Sequence, residues 1–295
     1  MIARVAIVGT GLIGASVGLA LKESGFRGTI VGWDANAAEL AEALRLGAID
    51  EALPNRETVL APQLADVILL ATPVLAVMDW MQRLAPVVRE GQLLTDVGST
   101  KREIAQLAGK LYNGPSQARF LPGHPMAGKE SGGAALAEAA LFRGATWLFT
   151  PLHSATSSSS PLESEWRALV AGFGAHTLDL TPERHDVVCA WVSHLPQMLA
   201  TALSALLQET FAGDAEGFAA VQSIGGRALR ESTRLGASPY SMWRDVALTN
   251  TENIAVTLHA LEQQLAHLRE NLRTPELREE FAAANRFRDE ATKRR

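Results

Sequence analysis

The first 180 residues alternate between two hydrophobic periods. Short apolar runs recur at Ile2 to Val8, Thr29 to Trp33, Asp66 to Ala71, Leu93 to Val97 and Arg119 to Leu121. They are rich in β-branched residues and bounded by turn formers, which predicts strands. Between them lie stretches with apolar positions three and four apart: from Ile13 to Gly25, Asn36 to Leu44, Leu75 to Val88 and Thr100 to Leu111. That spacing predicts helices. Trp147 to Thr150 and Ala175 to Leu180 predict two further strands around a helix over Leu162 to Phe173, and residues 155–160 (ATSSSS) read as a solvated connection. Strands that are apolar throughout and separated by helical lengths call for a parallel sheet covered on both faces.

Beyond Thr181-Pro182, a capping residue followed by a first-turn proline, the strand pattern stops. Val187 to Leu207 is apolar nearly all round, which predicts a helix buried between domains or in a subunit interface. Pro196 should kink it, because its nitrogen cannot donate to the carbonyl of Val192. Met242 to Leu272 reads as one long amphipathic helix and Arg273 to Arg295 as an exposed helix or tail. The expected fold class is therefore α/β: an N-terminal Rossmann-type, doubly wound, mostly parallel sheet over residues 1–180, followed by an all-helical domain over 181–295.

Composition narrows the function. Of 295 residues, 47% are hydrophobic and 20% charged, as in a soluble globular protein. No apolar run reaches the roughly 18 residues of a bilayer span, so no membrane is expected. The opening MIARVAIVGTG runs straight into a strand rather than a leader, which points to the cytoplasm. A net charge of −5 without a basic block argues against nucleic acid. The single cysteine, Cys189, sits in an apolar run and reads as a small buried hydrophobe. His153, His176, His259 and His267 are scattered, and no metal-ligand spacing occurs.

The first strand runs into Gly9-Thr-Gly11-Leu12-Ile13-Gly14, and the first helix follows at once. In that context the glycine pattern is a dinucleotide fingerprint. Gly9 permits the tight turn, Gly11 lets a pyrophosphate approach, Gly14 lets helix and strand close up, and the helix start at Leu12 and Ile13 faces the phosphates. Asp34 ends the second strand where a ribose-binding carboxylate belongs, and it would repel a 2′-phosphate, so NAD is favoured over NADP. Thr72-Pro73, Gly98-Ser99-Thr100 and Gly123-His124 all fall at carboxyl ends of strands, beside the cofactor.

Leu121 to Gly133, LPGHPMAGKESGG, fits neither a helix nor a strand interior and reads as a shaped loop. It carries His124, Lys129, Glu130 and Ser131, the equipment of a site or the furniture of a turn-rich surface. Ser99 suits either a helix cap or a catalytic hydroxyl, and Lys101 an exposed first-turn lysine. His194 stands beside Pro196 and reads as a core histidine until something places it in a cleft. His185, nine residues earlier, falls on the opposite helix face. Arg227, Arg230 and Arg234, with Glu231 among them, suit surface ion pairs, although a guanidinium also clamps carboxylates.

Taken in order, the fingerprint, Asp96-Val-Gly-Ser99-Thr-Lys101, Gly123-His124-Pro-Met-Ala-Gly128 with Glu130-Ser-Gly-Gly133, His185-Asp186, Ser193-His194-Leu-Pro196, Arg230-Glu-Ser-Thr-Arg234 and Met242-Trp243-Arg-Asp245 resemble the prephenate dehydrogenases of tyrosine biosynthesis. The resemblance spans nearly the whole chain. It implies NAD-dependent oxidation of prephenate at C4 with loss of the ring carboxylate, giving 4-hydroxyphenylpyruvate. By the same resemblance His124 takes the hydroxyl proton, with Ser99 hydrogen-bonded to help orient it. Arg234 holds a substrate carboxylate, His194 lines the pocket, Glu130 helps gate the entrance and Trp243 walls it. A homodimer built through the helical domain is also implied. The family often has Arg-Asp-x-Thr-Arg where this chain has Glu231, which puts any ionic gate made by that acid in question. The length leaves no room for a fused mutase or regulatory domain, so tyrosine, if it inhibits, is expected to compete at the active site. The rivals are arogenate dehydrogenase, another NAD dehydrogenase with a Rossmann and a helical domain, and a non-catalytic NAD-sensing protein.

Overall fold

A computed structural model describes residues 1–114, 116–152 and 160–293. Most of the expected 155–160 connection, and His153, lie outside the described residues. Six strands, β1 (Arg4–Val8), β2 (Thr29–Trp33), β3 (Glu51–Ala52), β4 (Val67–Leu70), β5 (Leu93–Asp96) and β6 (Arg119–Leu121), form one sheet in the order β3-β2-β1-β4-β5-β6. Every pairing in it is parallel. The order reverses beside β1, where a doubly wound sheet opens its ligand crevice. The connecting helices are α1 (Leu12–Glu23), α2 (Ala37–Arg45), α3 (Arg56–Val59), α4 (Val74–Leu84) and α5 (Arg102–Leu111).

The pleat sorts the core. In β1, Val5 and Ile7 face one apolar cluster with Val17 and Leu21 of α1, while Ala6 and Val8 face the other with Val77, Met81 and Ile104. Side chains one apart on a strand point to opposite faces, so a fully buried strand needs two cores and this sheet has both. A smaller sheet supplies the first with Trp147 and Phe149. Its strands are β7 (Gly123–Pro125), β8 (Thr146–Phe149) and β9 (His176–Asp179), with α6 (Pro161–Gly172) between the last two. The pairing β7–β8 is antiparallel and β8–β9 parallel. The start of the glycine-proline loop is thus a strand, contrary to expectation, because three residues suffice when a partner edge is waiting.

The helical part begins with α7 (Pro182–Cys189), capped by the Thr181 hydroxyl, which accepts from the Arg184 amide at 3.2 Å. A π turn over Ala190–His194 joins it to α8 (Leu195–Thr210). The Leu195 amide reaches back to the carbonyl of Ala190, one residue further than in an α-helix. The sequence predicts a kink at Pro196; the departure from a regular α-helix is the π turn just before it. This helix, Pro182–Thr210, is long and apolar enough to cross a membrane by length and composition. Yet its first turns carry buried His185 and Asp186, while Trp191, Val192, Leu199 and Leu206 remain exposed. Then follow α9 (Ala215–Ile224), α10 (Gly226–Thr233) and α11 (Tyr240–Thr249). The expected single helix over Met242 to Leu272 is broken at Asn250, and α12 (Thr251–Glu270) starts afresh. The first compact unit spans Met1–Thr251 and the second Glu252–Arg295. In the second unit α13 (Glu276–Lys293) is tied to α12 by Gln264 and His267, which both meet Glu280.

Candidate active site

The starts of α1, α4 and α5 meet the carboxyl edge of the large sheet beside the crevice, and they are finished differently. α1 begins at Gly11 with no side-chain cap. α4 and α5 also lack caps of their own, but each receives a carboxylate from the helical part. Asp245 of α11 accepts from the Leu75 amide at 3.1 Å, and Asp186 of α7 accepts from the Lys101 and Arg102 amides at 2.7 and 2.9 Å. Both aspartates are buried. The hydroxyls of Thr100 and Thr249, 2.7 Å apart, add a third tie.

The uncapped start of α1 opens on two hollows that share walls. One, of about 420 Å³, is lined by Gly9, Gly11, Trp33, Asp34, Thr72 and Pro73. Gly9 has φ +96, and a Cβ there would lie 2.5 Å from the Ala71 carbonyl oxygen; a Cβ on Gly14 would lie 1.9 Å from that of Gly9. Gly11 has open space where a Cβ would go. The Asp34 carboxylate accepts from the Thr10 and Asn36 amides at 2.7 and 2.8 Å, while Asn36, not Asp34, caps α2. The second hollow, about 310 Å³, runs from Gly11, Leu12 and Ile13 past Thr72 and Pro73 to Ser99, His124 and Glu130. The Thr72 hydroxyl is buried without a partner among the described residues. An open helix start, a glycine without steric cover, an orphan hydroxyl and a rim carboxylate together fit a dinucleotide.

A third hollow, about 350 Å³, continues from Ser99, His124 and Glu130 to His194, Arg234 and Trp243. Ser99, His124 and Glu130 are walls of both, so the residues singled out in the sequence from both halves converge on one crevice. His194 is buried; its Nδ1 faces the Asn250 amide nitrogen at 3.2 Å, and its Nε2 has no partner among the described residues. Its ring meets Trp243 edge-on, with centroids 5.8 Å apart, and the indole nitrogen of Trp243 is likewise unpartnered. Burial holds His194 down at about 4. Arg234 is paired with Glu130, an ion pair across the mouth between half-exposed groups. Glu231 is taken by Arg227 on the exposed surface, 2.6 Å away, and takes no part in it.

His124 is a buried ionisable group in the wall of the crevice. Burial, then the neighbouring His185, Lys101 and His194, hold its pKa well below the ordinary histidine value. Its Nδ1 lies 2.9 Å from Nε2 of His185. Among the described residues no hydrogen bond joins Ser99 to His124; both line the crevice, and the Ser99 side chain does not cap α5. Lys101, read as exposed, is fully buried, with Nζ 2.6 Å from Asp96 Oδ2. Asp96 also accepts from the Gly98 and Gly123 amides at 2.7 and 3.2 Å, so this pair pins together the loops that carry Ser99 and His124. His185 and His194 do not face apart. Each residue of the π turn between them rotates less than in an α-helix, and both end buried in one polar cluster. Asn250, missed in the sequence, joins it by donating to the Asp186 carbonyl at 2.9 Å as well as facing His194.

The sequence showed no metal-ligand spacing, but among the described residues His124, His185 and Cys189 bring three donor atoms within 4.8 Å of one another. The hydrogen bonds within the group account for that closeness. The Cys189 thiol is buried and pushed up to about 12, so it stays protonated.

Residues 17–176 match the family model described as the nucleotide-binding domain of prephenate dehydrogenase, and residues 181–286 match its dimerization domain. The chain is 32% identical over 249 residues to prephenate dehydrogenase of Bacillus subtilis, covering 84% of this chain but 64% of that relative. It therefore spans just under two thirds of that relative's length. Among solved structures it is similar to prephenate dehydrogenase from Aquifex aeolicus in complex with hydroxyphenyl propionate and NAD+, with a TM-score of 0.82, 28% identity, and 100% and 97% of the two chains covered. It is also similar to Synechocystis arogenate dehydrogenase, with a TM-score of 0.75, 29% identity, and 98% and 99% covered.

Proposed function

We propose that this chain, which belongs to the prephenate dehydrogenase family, carries out the NAD-dependent oxidative decarboxylation of prephenate to 4-hydroxyphenylpyruvate. One observation carries the reading: a buried neutral imidazole, His124, is a wall common to the hollow at the glycine turn and the hollow of His194, Arg234 and Trp243. Gly11, Leu12, Ile13 and the start of α1 would hold the cofactor's pyrophosphate, Asp34 its ribose, and Thr72-Pro73 the middle of the crevice, with Gly9 and Gly14 shaping the turn. When bound, NAD supplies the hydride acceptor. The chain's own work is to align the substrate, keep water out and remove one proton. His124 takes the proton of the C4 hydroxyl, and Ser99 offers a hydroxyl beside the same oxygen.

His194 acts as a donor. The Asn250 amide nitrogen is turned toward it by the Asp186 carbonyl, so Nδ1 of the neutral ring accepts and Nε2–H is left for a substrate oxygen. Arg234 takes a substrate carboxylate in exchange for Glu130, which makes their ion pair the gate of the crevice, and Trp243 walls the far side. We further place the enzyme in the cytoplasm as a homodimer, supported by the dimerization-domain match and by Trp191, Val192, Leu199 and Leu206 exposed along Pro182–Thr210. Tyrosine, carrying a carboxylate and the product's ring, would compete with substrate.

The test is to supply prephenate or arogenate with NAD or NADP and follow reduced nicotinamide by absorbance. Prephenate with NAD should be the fastest pair, and His124→Asn should keep NAD affinity while losing most turnover. Faster turnover of arogenate would reassign the substrate, and a fully active His124→Asn would remove the base. Inhibition by tyrosine that is noncompetitive with prephenate would place that ligand elsewhere.

A further inference from the structure

We infer that Asp186 and His185 are positioning residues that hold His124 in its Nδ1–H tautomer, so that Nε2 is the atom that receives the substrate proton. The inference rests on the reading of His124 as the base. A neutral imidazole carries its one proton on either nitrogen, and a base needs the bare nitrogen aimed at the substrate. What fixes the choice here is a run of donor and acceptor constraints that starts at the amino end of α5.

Asp186 faces donors. Its Oδ1 accepts from the Lys101 amide at 2.7 Å and its Oδ2 from the Arg102 amide at 2.9 Å. Both carboxylate oxygens thus accept from helix-start amides, as an acceptor at that place does. Nδ1 of His185, 2.8 Å from the same Oδ1, must therefore donate. His185 is fully buried, and desolvation keeps it from taking a second proton. Its Nε2 is then bare and can only accept. Nδ1 of His124, 2.9 Å away, must in turn donate, which leaves the lone pair of His124 on Nε2. No described residue hydrogen-bonds to that nitrogen, and the ring lines the crevice.

The other groups around the pair agree with this. The Cys189 thiol, 3.6 Å from Nε2 of His185, is a weak second donor to the same lone pair. The Lys101 ammonium, held by Asp96, and neutral His194 place no acceptor beside His124 that would turn its proton around. When the substrate hydroxyl gives up its proton, Nε2–H forms and Nδ1–H stays on His185. The new imidazolium is then stabilised through His185 by the Asp186 carboxylate, and no second proton has to move. This is the logic by which a carboxylate sets the tautomer of a hydrolase histidine, reached here through one more ring.

The direct test is long-range 15N–1H NMR of the histidine rings in the full chain at neutral pH, without substrate or turnover. His124 should show its proton on Nδ1; a proton on Nε2 overturns the inference whatever the enzyme's substrate proves to be. Asp186→Ala should release that preference in the same spectrum, and an unchanged His124 would remove Asp186 from the chain of constraints. His185→Phe removes the acceptor and keeps the ring volume, and should lower kcat by about 100-fold or more, the lower range for loss of a general base. NAD affinity and KM should hold. His185→Gln, whose amide oxygen can stand near the place of Nε2, should restore part of the loss and the Nδ1–H signature. An unchanged kcat in His185→Phe would sink the inference, while inactivity of His124→Asn beside it would leave the proposed reaction standing.

Discussion

Replacing Lys101 by Met should show how much the crevice depends on a buried charge behind its wall. Lys101 and Asp96 are both fully buried, with Nζ 2.6 Å from Oδ2 and 3.2 Å from the Thr100 carbonyl. Removing one partner of such a pair leaves an uncompensated buried charge, which typically costs about 3–5 kcal/mol. Here the Gly98 and Gly123 amides still point at Asp96. Each such charged hydrogen bond contributes about 1.5–3 kcal/mol, so the loss should fall near the lower end, roughly 3 kcal/mol. Urea unfolding of Lys101→Met, of Asp96→Asn and of the double variant closes a double-mutant cycle. The double variant should recover a large part of the Lys101→Met loss, since neither side then carries a charge. Turnover should fall in the single variant, because the loop with Ser99 and the strand with His124 are both anchored on Asp96. A loss below about 1 kcal/mol, as for an exposed lysine, or strict additivity in the cycle, would refute the reasoning.

Gly14→Ala should weaken NAD binding by about tenfold or more, equivalent to roughly 1.4 kcal/mol, because its Cβ would meet the Gly9 carbonyl oxygen at 1.9 Å and force the turn open; fluorescence titration with NAD checks it, and unaltered affinity would contradict that packing. Arg234→Gln should raise KM for prephenate with a smaller change in kcat, and an effect confined to thermal stability would return that arginine to a surface role. His124, His185 and His194 are all held below the ordinary histidine value, His194 at about 4. The unfolded chain takes up protons below about pH 6.5 that the folded chain refuses, so stability should fall from there toward about pH 4 and be unaffected by these groups above it. A Tm that stays flat across that window would show that the three rings do protonate in place.

The sheet was legible because its strands are buried on both faces, which writes them as unbroken apolar runs. The sheet segments that escaped are short or borrowed: β3 has two residues, and β7 is made of glycine, histidine and proline that pair only because β8 offers an edge. The glycine turn, Asp34 and His124 could be placed because turn chemistry and strand ends are local. Lys101 could not, since nothing in its neighbourhood in the chain reveals that Asp96 turns back to meet it. His185 and His194 were set on opposite faces by a helical wheel that assumes a uniform turn, and one wide turn defeats that assumption. The break at Asn250 carries no glycine or proline; what marks it is the Asn250 side chain, which serves contacts 64 and 56 residues away in the chain.

Asp186 and Asp245 have a consequence beyond capping. The starts of α1, α4 and α5 all carry partial positive charge at this rim, and those of α4 and α5 are already neutralised by the chain itself, so of these three the start beside Gly11 is the one left open to a phosphate. The selectivity for where the cofactor's anion lands is thus written as much by side chains that block the wrong moorings as by the glycines that shape the right one.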